Sequence, residues 1–262
     1  MEEIMDKAML VSAITIAIVM VSTWLVSVIV RNASIVDIVW GAGFAINSWV
    51  LAITIDGDSG RQIVMALLVG IWGVRLAGYL AKRNIGHGED WRYVAMRKKI
   101  GKKFPVVSLF TVFGLQGVLM WVVSLPVMFA NADASPSIGP LAVIGIMVWL
   151  TGFAFEAIGD YQLARFKKNP DNAGKVMDQG LWSLTRHPNY FGDALLWWGI
   201  GVVAAETGSG VIGFIGPVVM TYLLMRVSGV PMLERSLNKR REGYADYVAR
   251  TSGFIPRPPK KL

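Results

Sequence analysis

A basic and polar segment that leads directly into an apolar stretch carries the residues best suited to chemistry. Arg186 and His187 precede Pro188, and Asn189 and Asp193 follow it. Proline fits the first turn of a helix, because the backbone N–H that it lacks would have no partner there. The start of a helix has free N–H groups and partial positive charge, so together with Arg186 it can bind a phosphate.

Asp193 is the strongest sign of function in this segment. Thr185, Asn189 and Asp193 are spaced four residues apart, and we expect them to share one helical face. A carboxylate one turn inside an apolar helix is costly, and it therefore indicates a functional site. The structural alternative is a helix cap with an arginine at a membrane surface. That alternative accounts for Arg186 and Asn189 but leaves Asp193 unexplained.

Other ionisable residues also lie inside apolar stretches. Asp37 occurs near the start of the second stretch, Arg75 and Tyr79 form an i, i+4 pair in the third, and Glu156 and Asp160 form another in the fifth. Each has a structural alternative, either an ion pair with a nearby charge or, for Arg75, extension to the membrane surface. All of them fall in the same predicted half of the bilayer, which favours one shared pocket.

Asp37 is the candidate for acid–base work. A carboxyl group buried in hydrocarbon favours its protonated form. We expect Asp37 to donate a hydrogen bond to a substrate carbonyl or to transfer a proton to it. Tyr79 or Trp40 would help to hold the same oxygen.

The elements that position these residues are membrane-spanning helices. The chain is 54% hydrophobic and 17% charged, with a mean hydropathy of +0.49, which is typical of a polytopic membrane protein. A span needs about 20 apolar residues, and lipid leaves no partner for open backbone, so we predict an all-α fold. Seven stretches qualify: Met9–Val30, Ile35–Ile55, Gln62–Lys82, Pro105–Ala130, Ile138–Tyr161, Asn189–Ala205 and Val211–Ser228.

The basic residues are confined to alternate loops and to the tail. With seven crossings they all lie on one side, which the positive-inside rule makes cytoplasmic and which places the N-terminus outside. We predict a single membrane domain over residues 1–262. Residues 1–228 would form the seven-helix bundle, and residues 229–262 a cytoplasmic amphipathic tail that completes a cofactor site.

Composition also excludes several classes of site. The chain has no cysteine and only two histidines, which argues against disulfides, thiolate chemistry and a metal site.

The net charge of +8 lies in the basic loops, so anionic lipid and an anionic cofactor are better partners than nucleic acid. The first apolar stretch is long enough to be a retained span. We predict no obligate protein partner.

Residues Gly180–Asp193, with Arg-His-Pro-Asn-Tyr-Phe-Gly-Asp at their centre, resemble the NADPH-binding signature of membrane sterol reductases. Asn189 and Asp193 look like the Asn and the acidic residue of the steroid 5-alpha-reductases. Upstream, Asp160, Lys167 and Lys175 look like the acidic, basic and basic positions that those enzymes place around NADPH. The tail from Glu234 through Tyr244 and Tyr247 is also similar.

The second stretch is similar to that of the bacterial branch of this family. Asp37 falls about where the steroid enzymes have the Glu of a Gln-Glu pair, and Val36 stands in place of the Gln. The catalytic Tyr of those enzymes falls near Trp72. The resemblance implies an integral protein of the bacterial inner membrane, with its active site in the cytoplasmic half, that reduces an apolar lipid or steroid enone with NADPH.

The resemblance and the residue types together give a predicted site. The catalytic residues would be Asp37, Tyr79 and Trp40. The cofactor would contact Glu156, Asp160, Lys167, Lys175, Arg186, His187, Asn189, Tyr190, Asp193, Glu234, Arg240, Arg241, Tyr244 and Tyr247.

Two other classes of protein remain open. Arg-His-Pro-x-Tyr-x-Gly and a following Glu also occur in isoprenylcysteine carboxyl methyltransferases, which use S-adenosylmethionine. That cofactor has no phosphate, so the basic residues Lys167, Lys175 and Arg186 favour NADPH, as do Asn189 and Asp193. A lipid-binding or scaffold protein without activity would leave the intramembrane acids unexplained.

Overall fold

The regular elements of the chain are helices. A computed structural model describes residues 2–135, 138–227, 229–230, 234 and 243–260. Contacts divide the chain into two compact units. Unit 1 comprises Met1–Ala142 and Val203–Gly216, and unit 2 comprises Val143–Val202 and Pro217–Leu262. The predicted single domain stays a prediction, and each unit is described below by itself.

Unit 1 is built on three long helices followed by a long helical segment with breaks. The long helices are α1 (Glu2–Ile29), α2 (Ile35–Thr54) and α3 (Ser59–Asn84). The segment after them runs through α4 (Trp91–Ile100), a 3-10 turn (Gly101–Lys103), α5 (Phe104–Ser108), a π-helix (Leu109–Gly114), α6 (Leu115–Val123) and α7 (Leu125–Ala132).

Small residues and caps explain the packing of unit 1. A Cβ atom on Gly41 of α2 would lie 2.6 Å from the Gly73 carbonyl oxygen of α3, so the two backbones are in direct contact. Asp58 begins α3 by accepting a hydrogen bond from the Arg61 N–H at 2.8 Å. Pro126 lies in the first turn of α7, which is why the helical segment breaks at Ser124.

Unit 2 is built on two helices that cross closely. It contains most of α8 (Pro140–Lys168) and α10 (Pro188–Ala204), with a 3-10 turn (Pro170–Asn172) and the short α9 (Leu181–Leu184) between them. The chain then passes through α11 (Ile215–Tyr222) and a π-helix (Leu223–Val227), and the tail contains α12 (Tyr244–Arg250).

The crossing of α8 and α10 depends on glycine. A Cβ atom on Gly152 would lie 2.7 Å from the Gly192 carbonyl oxygen, and one on Gly199 would lie 2.6 Å from the Gly145 carbonyl oxygen. A Cβ atom on Gly192 would collide with the backbone N of Glu156. Such close approach at small residues is typical of helix pairs in membrane proteins.

The helical membrane fold is confirmed in its coarser form. Six helices of the described residues are long and apolar enough to cross a bilayer, and these make the chain an integral membrane protein. The predicted stretch Asn189–Ala205 forms α10, whose 17 residues are about 26 Å long at 1.5 Å each, short of the ~30 Å of hydrocarbon. Seven spans and their orientation therefore stay predictions.

The prediction for the start of α10 is confirmed, whereas the prediction for Thr185 is wrong. The start of α10 at Pro188 is confirmed. The expectation that Thr185 shares the helical face of Asn189 and Asp193 is wrong, because Thr185 precedes the helix in an extended conformation (φ −150°, ψ 147°). Its hydroxyl donates instead to the Phe254 carbonyl oxygen at 2.8 Å, so the tail determines its position. The predicted tail helix is described only over Tyr244–Arg250.

The glycine crossing predicts a clear difference between two alanine variants. We expect Gly192→Ala to lower the free energy of unfolding by about 1–3 kcal/mol, because the added methyl group forces α8 and α10 apart. Gly78→Ala is the matched control, since nothing lies within 4 Å of that position and the helix gains a better former. Thermal unfolding in detergent measures both, and equal stabilities would contradict the close-contact argument.

Candidate functional site

The crossing of α8 and α10 brings four of the predicted polar residues to one place in unit 2. Glu156 and Asp160 lie on α8, and Asn189 and Asp193 lie on α10. The helices run antiparallel here. The backbone of Glu156 meets Gly192, and Gly159 lies against the start of α10.

Two of these residues are directly hydrogen-bonded. The Asn189 Nδ2 donates to Asp160 Oδ1 at 3.1 Å, and the Asn189 Oδ1 accepts from the Tyr190 N–H at 3.1 Å. Glu156 and Asp160 are only 3% and 4% exposed, so both carboxylates are enclosed by the unit. Carboxylates buried at this depth mark a functional site more often than a structural one.

The tail docks along the segment that precedes α10. Thr185 and Ser252 form a parallel bridge, and the Arg186 N–H donates to the Ser252 carbonyl oxygen at 2.9 Å. The Tyr247 hydroxyl donates to the Trp182 carbonyl oxygen at 2.6 Å. These bonds hold Tyr247 and Ser252 of the tail beside α9 and the start of α10. The predicted role of residues 229–262 in completing a cofactor site stays a prediction.

Arg186 and His187 both bind a carboxylate of the chain itself. The Arg186 Nε donates to Glu234 Oε1 at 2.8 Å, and the His187 Nε2 lies 3.2 Å from the same oxygen. The Arg186 Nη1 also donates to the Thr251 carbonyl oxygen at 2.7 Å. His187 is buried and its ring stacks on Tyr190 with 5.7 Å between centroids. In this structure the arginine therefore fastens the tail to the start of α10.

The same contacts shift the pKa values of Glu234 and Tyr244. Hydrogen bonds from His187 and Arg186, together with the charge of Arg186, lower the pKa of Glu234 to about 2 despite its partial burial. Burial, together with the nearby Glu234 carboxylate, raises the pKa of Tyr244 to about 12. Glu234 is therefore ionised and Tyr244 is a neutral phenol throughout the physiological range.

A cavity of about 130 Å³ opens between the end of α8, α9 and the tail. Its wall includes six predicted cofactor residues, which are Lys167, Lys175, Arg186, His187, Tyr244 and Tyr247. Leu163, Phe166, Met177 and Trp182 supply the apolar remainder. Pockets for drug-sized ligands measure about 300–1,000 Å³, so this cavity takes one ring system of a dinucleotide and not all of it.

Tyr244 gives this cavity an unused donor. The side chain is 3% exposed, and its hydroxyl proton finds no acceptor among the described residues. A buried O–H without an acceptor costs about 1–3 kcal/mol, so a ligand that accepts from it gains binding energy. The cavity thus fits a flat ring with a polar edge and an anionic group near Lys167 and Lys175.

The predicted cofactor residues therefore form two groups within unit 2. Six line the cavity, and Glu156, Asp160, Asn189 and Asp193 lie at the helix crossing. Tyr190 connects the groups through its stacking on His187, and Glu234 connects the cavity to the tail. Arg240 and Arg241 lie outside the described residues, so their predicted phosphate contacts stay predictions.

Asp37 belongs to a separate polar cluster in unit 1. The Arg92 Nη2 donates to Asp37 Oδ2 at 2.6 Å, and the Tyr93 hydroxyl donates to Asp37 Oδ1 at 2.8 Å. Around them, the Asp90 N–H donates to the Ser34 Oγ at 2.6 Å.

Glu89 fixes the other side of this cluster. It accepts both hydrogen bonds of the Arg97 guanidinium, at 3.0 and 2.8 Å, and one from the Ala33 N–H at 2.7 Å. Burial alone would raise the pKa of Glu89, but the bonds from Arg97 and Ala33 outweigh it and hold that pKa below its ordinary value. Glu89 is therefore ionised where it accepts these three hydrogen bonds.

These contacts bear on the acid role predicted for Asp37. Both oxygens of Asp37 already accept hydrogen bonds, one from a guanidinium and one from the Tyr93 hydroxyl. Trp40 packs edge-on against Phe44 at 5.1 Å between centroids, and Tyr79 lies 6.0 Å from the Arg83 guanidinium. The catalytic roles of Asp37, Trp40 and Tyr79 stay predictions.

Sequence reasoning missed three kinds of residue. Arg92 and Tyr93 are distant in sequence from Asp37, and only their polar character next to Asp90 pointed to them. Phe166 and Lys167 lie three and four residues after Leu163 on α8, the spacing of one helical face, and the sequence did carry that signal. Trp182, whose Nε1 donates to the Gly159 carbonyl oxygen at 3.0 Å, lies within the segment Gly180–Asp193 but was not singled out there.

Comparison with known proteins places the chain in a family. Residues 23–251 match the family described as "Protein of unknown function (DUF1295)". The chain belongs to this family. No solved structure matches the chain.

Three relatives show how far the similarity extends. An "Uncharacterized protein" of Schizosaccharomyces pombe is 26% identical over 212 residues, which is 70% of this chain and 62% of the relative. "Probable O-methyltransferase ustE" of Ustilaginoidea virens is 34% identical over 79 residues, 30% of this chain and 27% of the relative. "Steroid 5-alpha-reductase DET2" of Arabidopsis thaliana is 40% identical over 62 residues, 23% of each chain. The chain spans less than two thirds of each relative.

The depressed pKa of Glu234 predicts acid-sensitive docking of the tail. Because that pKa lies near 2 in the folded protein and near 4.5 ordinarily, its contribution to stability is complete above about pH 4.5 and disappears as the pH falls toward 2. We expect Glu234→Gln to flatten the fall in unfolding temperature across this range. Asp246→Asn, which removes an exposed charge from the same tail, should keep the wild-type slope. Identical slopes in all three proteins would contradict the role of Glu234.

Proposed function

We propose that the protein is an NADPH-dependent membrane reductase that transfers hydride to the β carbon of an apolar enone, a 3-oxo-Δ4 steroid or a similar lipid. The similarity of a segment to a steroid 5-alpha-reductase supports an oxidoreductase. The apolar helices support a substrate taken from the bilayer. The observation that carries the proposal is the cavity of unit 2, where a buried phenol without an acceptor shares a wall with two lysines.

The residues of unit 2 would hold the cofactor in two ways. Lys167 and Lys175 offer ammonium groups to its phosphates, and Tyr244 offers a hydrogen bond to a ring or ribose oxygen. Asp160 and Asn189, already fixed to each other, offer the carboxylate and amide groups that bind a ribose or a carboxamide. Bound NADPH supplies the hydride, and these side chains orient it.

Arg186 has a supporting role in this proposal. Its guanidinium is 13% exposed and donates to Glu234 and to backbone carbonyls of the tail, so it positions the wall of the cavity. A direct contact of Arg186, Arg240 or Arg241 with phosphate remains part of the proposal.

The acid–base chemistry is assigned to Asp37 and the residues predicted with it. We propose that Trp40 and Tyr79 donate hydrogen bonds to the substrate carbonyl oxygen, where negative charge develops, and that Asp37 positions the acid that acts with them. Because both oxygens of Asp37 accept hydrogen bonds, the proton would come from Tyr93, and Asp37 would orient that phenol. A hydride on the β carbon and a proton on the α carbon complete the saturated product.

A methyltransferase is the second candidate. The Arg186–Glu234 contact joins the arginine of the Arg-His-Pro motif to the Glu that follows it, the two elements that resemble the isoprenylcysteine carboxyl methyltransferases. Similarity of a segment of 79 residues to a protein named as a probable O-methyltransferase points the same way. This candidate takes S-adenosylmethionine in the same cavity.

A binding titration separates the two candidates. We expect purified protein to bind NADPH and not S-adenosylmethionine, and Lys175→Gln to weaken NADPH binding by about tenfold through loss of one charge-assisted contact. Lys168→Gln is the matched control, because Lys168 is also exposed but does not line the cavity. Tighter binding of S-adenosylmethionine, or equal losses in both variants, would overturn the proposed cofactor.

Turnover of a radiolabelled enone tests the acid–base role proposed for Asp37 and Tyr93. We expect Asp37→Asn and Tyr93→Phe each to reduce turnover by about 100-fold, since general acid catalysis contributes at least that much, while NADPH affinity stays unchanged. Asp56→Asn, at a side chain 91% exposed in the same unit, should keep full activity. Full activity in Tyr93→Phe would remove the phenol from the mechanism.

A further inference from the structure

Unit 2 contains a second and larger concavity that the proposed reaction does not use. A groove of about 690 Å³ lies between the last turns of α8 and the segment that follows them. Phe166 and Met177 line both this groove and the cofactor cavity, so they separate the two. Its volume falls within the range of about 300–1,000 Å³ that is typical of small-molecule sites.

The α8 side of the groove changes from apolar to cationic along one helical face. Ile158, Tyr161 and Arg165 follow one another at intervals of three and four residues, and all three are exposed. The apolar part belongs to a helix long enough to span a bilayer, and the basic residues of that helix begin at Arg165. An aromatic residue between an apolar stripe and a cation is the arrangement found where helices leave the hydrocarbon.

The polar wall of the groove suits an anion. None of the described lining residues is acidic, and Arg165 forms no ion pair with any residue that the structure describes. Asn169 uses its Oδ1 to accept from the Asp171 N–H, and Gln162 uses its Oε1 to accept from the Leu181 N–H. Both amides therefore keep N–H donors. The nearby Asp178 is paired with Arg250 and does not line the groove.

We propose that this groove binds the head group of an anionic phospholipid. The phosphate would contact Arg165 and the amide donors of Gln162 and Asn169. The acyl chains would lie along the exposed face of α8 that contains Ile158. A basic residue at this level contributes about 1 kcal/mol toward an anionic lipid. This site is independent of the proposed reductase activity.

Two charge-matched variants test the site in the full-length protein. Arg165→Gln and Lys168→Gln each remove one exposed cation from the end of α8, but only Arg165 lines the groove. Native mass spectrometry with phosphatidylglycerol and phosphatidylcholine, added separately to delipidated protein, gives the affinity of each lipid. Thermal unfolding of both variants confirms that they are folded.

We expect the wild type and Lys168→Gln to retain phosphatidylglycerol equally and in preference to phosphatidylcholine. Arg165→Gln should bind phosphatidylglycerol about fivefold more weakly, which corresponds to ~1 kcal/mol, with no change for phosphatidylcholine. Equal losses in the two variants would show only the general attraction of a basic surface. Equal affinities for the two lipids would exclude recognition of an anionic head group.

Discussion

The direct contact between the backbones of α8 and α10 is the constraint on which the arrangement of unit 2 depends. Glycines at residues 152, 192 and 199 leave no room for a Cβ atom, so the two helices approach until backbone atoms touch. At this separation short side chains on opposite helices can meet, as Asp160 and Asn189 do. Wider spacing would leave these polar groups in an apolar bundle without partners, at a cost of several kcal/mol each.

The tail adds a second constraint on the same unit. It docks beside α9 through backbone hydrogen bonds, and Arg186 and His187 fasten it to Glu234. This docking brings Tyr244 and Tyr247 to the wall of a cavity that α8 lines on another side. The site is therefore made from segments far apart in sequence. The Glu234 carboxylate holds Arg186 and His187 together in the wall of the cavity.

Sequence patterns predicted the parts of this arrangement that are local. Apolar length predicted the helices, and proline predicted the start of α10. The close crossing of α8 and α10 was not predicted. The partners of the charged groups were beyond local patterns. Nothing near Arg186 indicates that it binds Glu234 of the tail, and nothing near Asp37 indicates Arg92 or Tyr93. Thr185 was misplaced because its conformation is determined by a tail residue 69 positions away.

The buried environment of Tyr244 also gives this phenol an unusual ionisation, which ultraviolet absorbance can follow. With its pKa raised to about 12, this phenol ionises later in an alkaline titration than an ordinary tyrosine does. Its ultraviolet absorbance therefore changes separately from that of exposed tyrosines. Burial also raises the pKa of Tyr247, which lines the same cavity, so a molecule that enters the cavity and accepts a phenol proton alters the late ionisation of this pair.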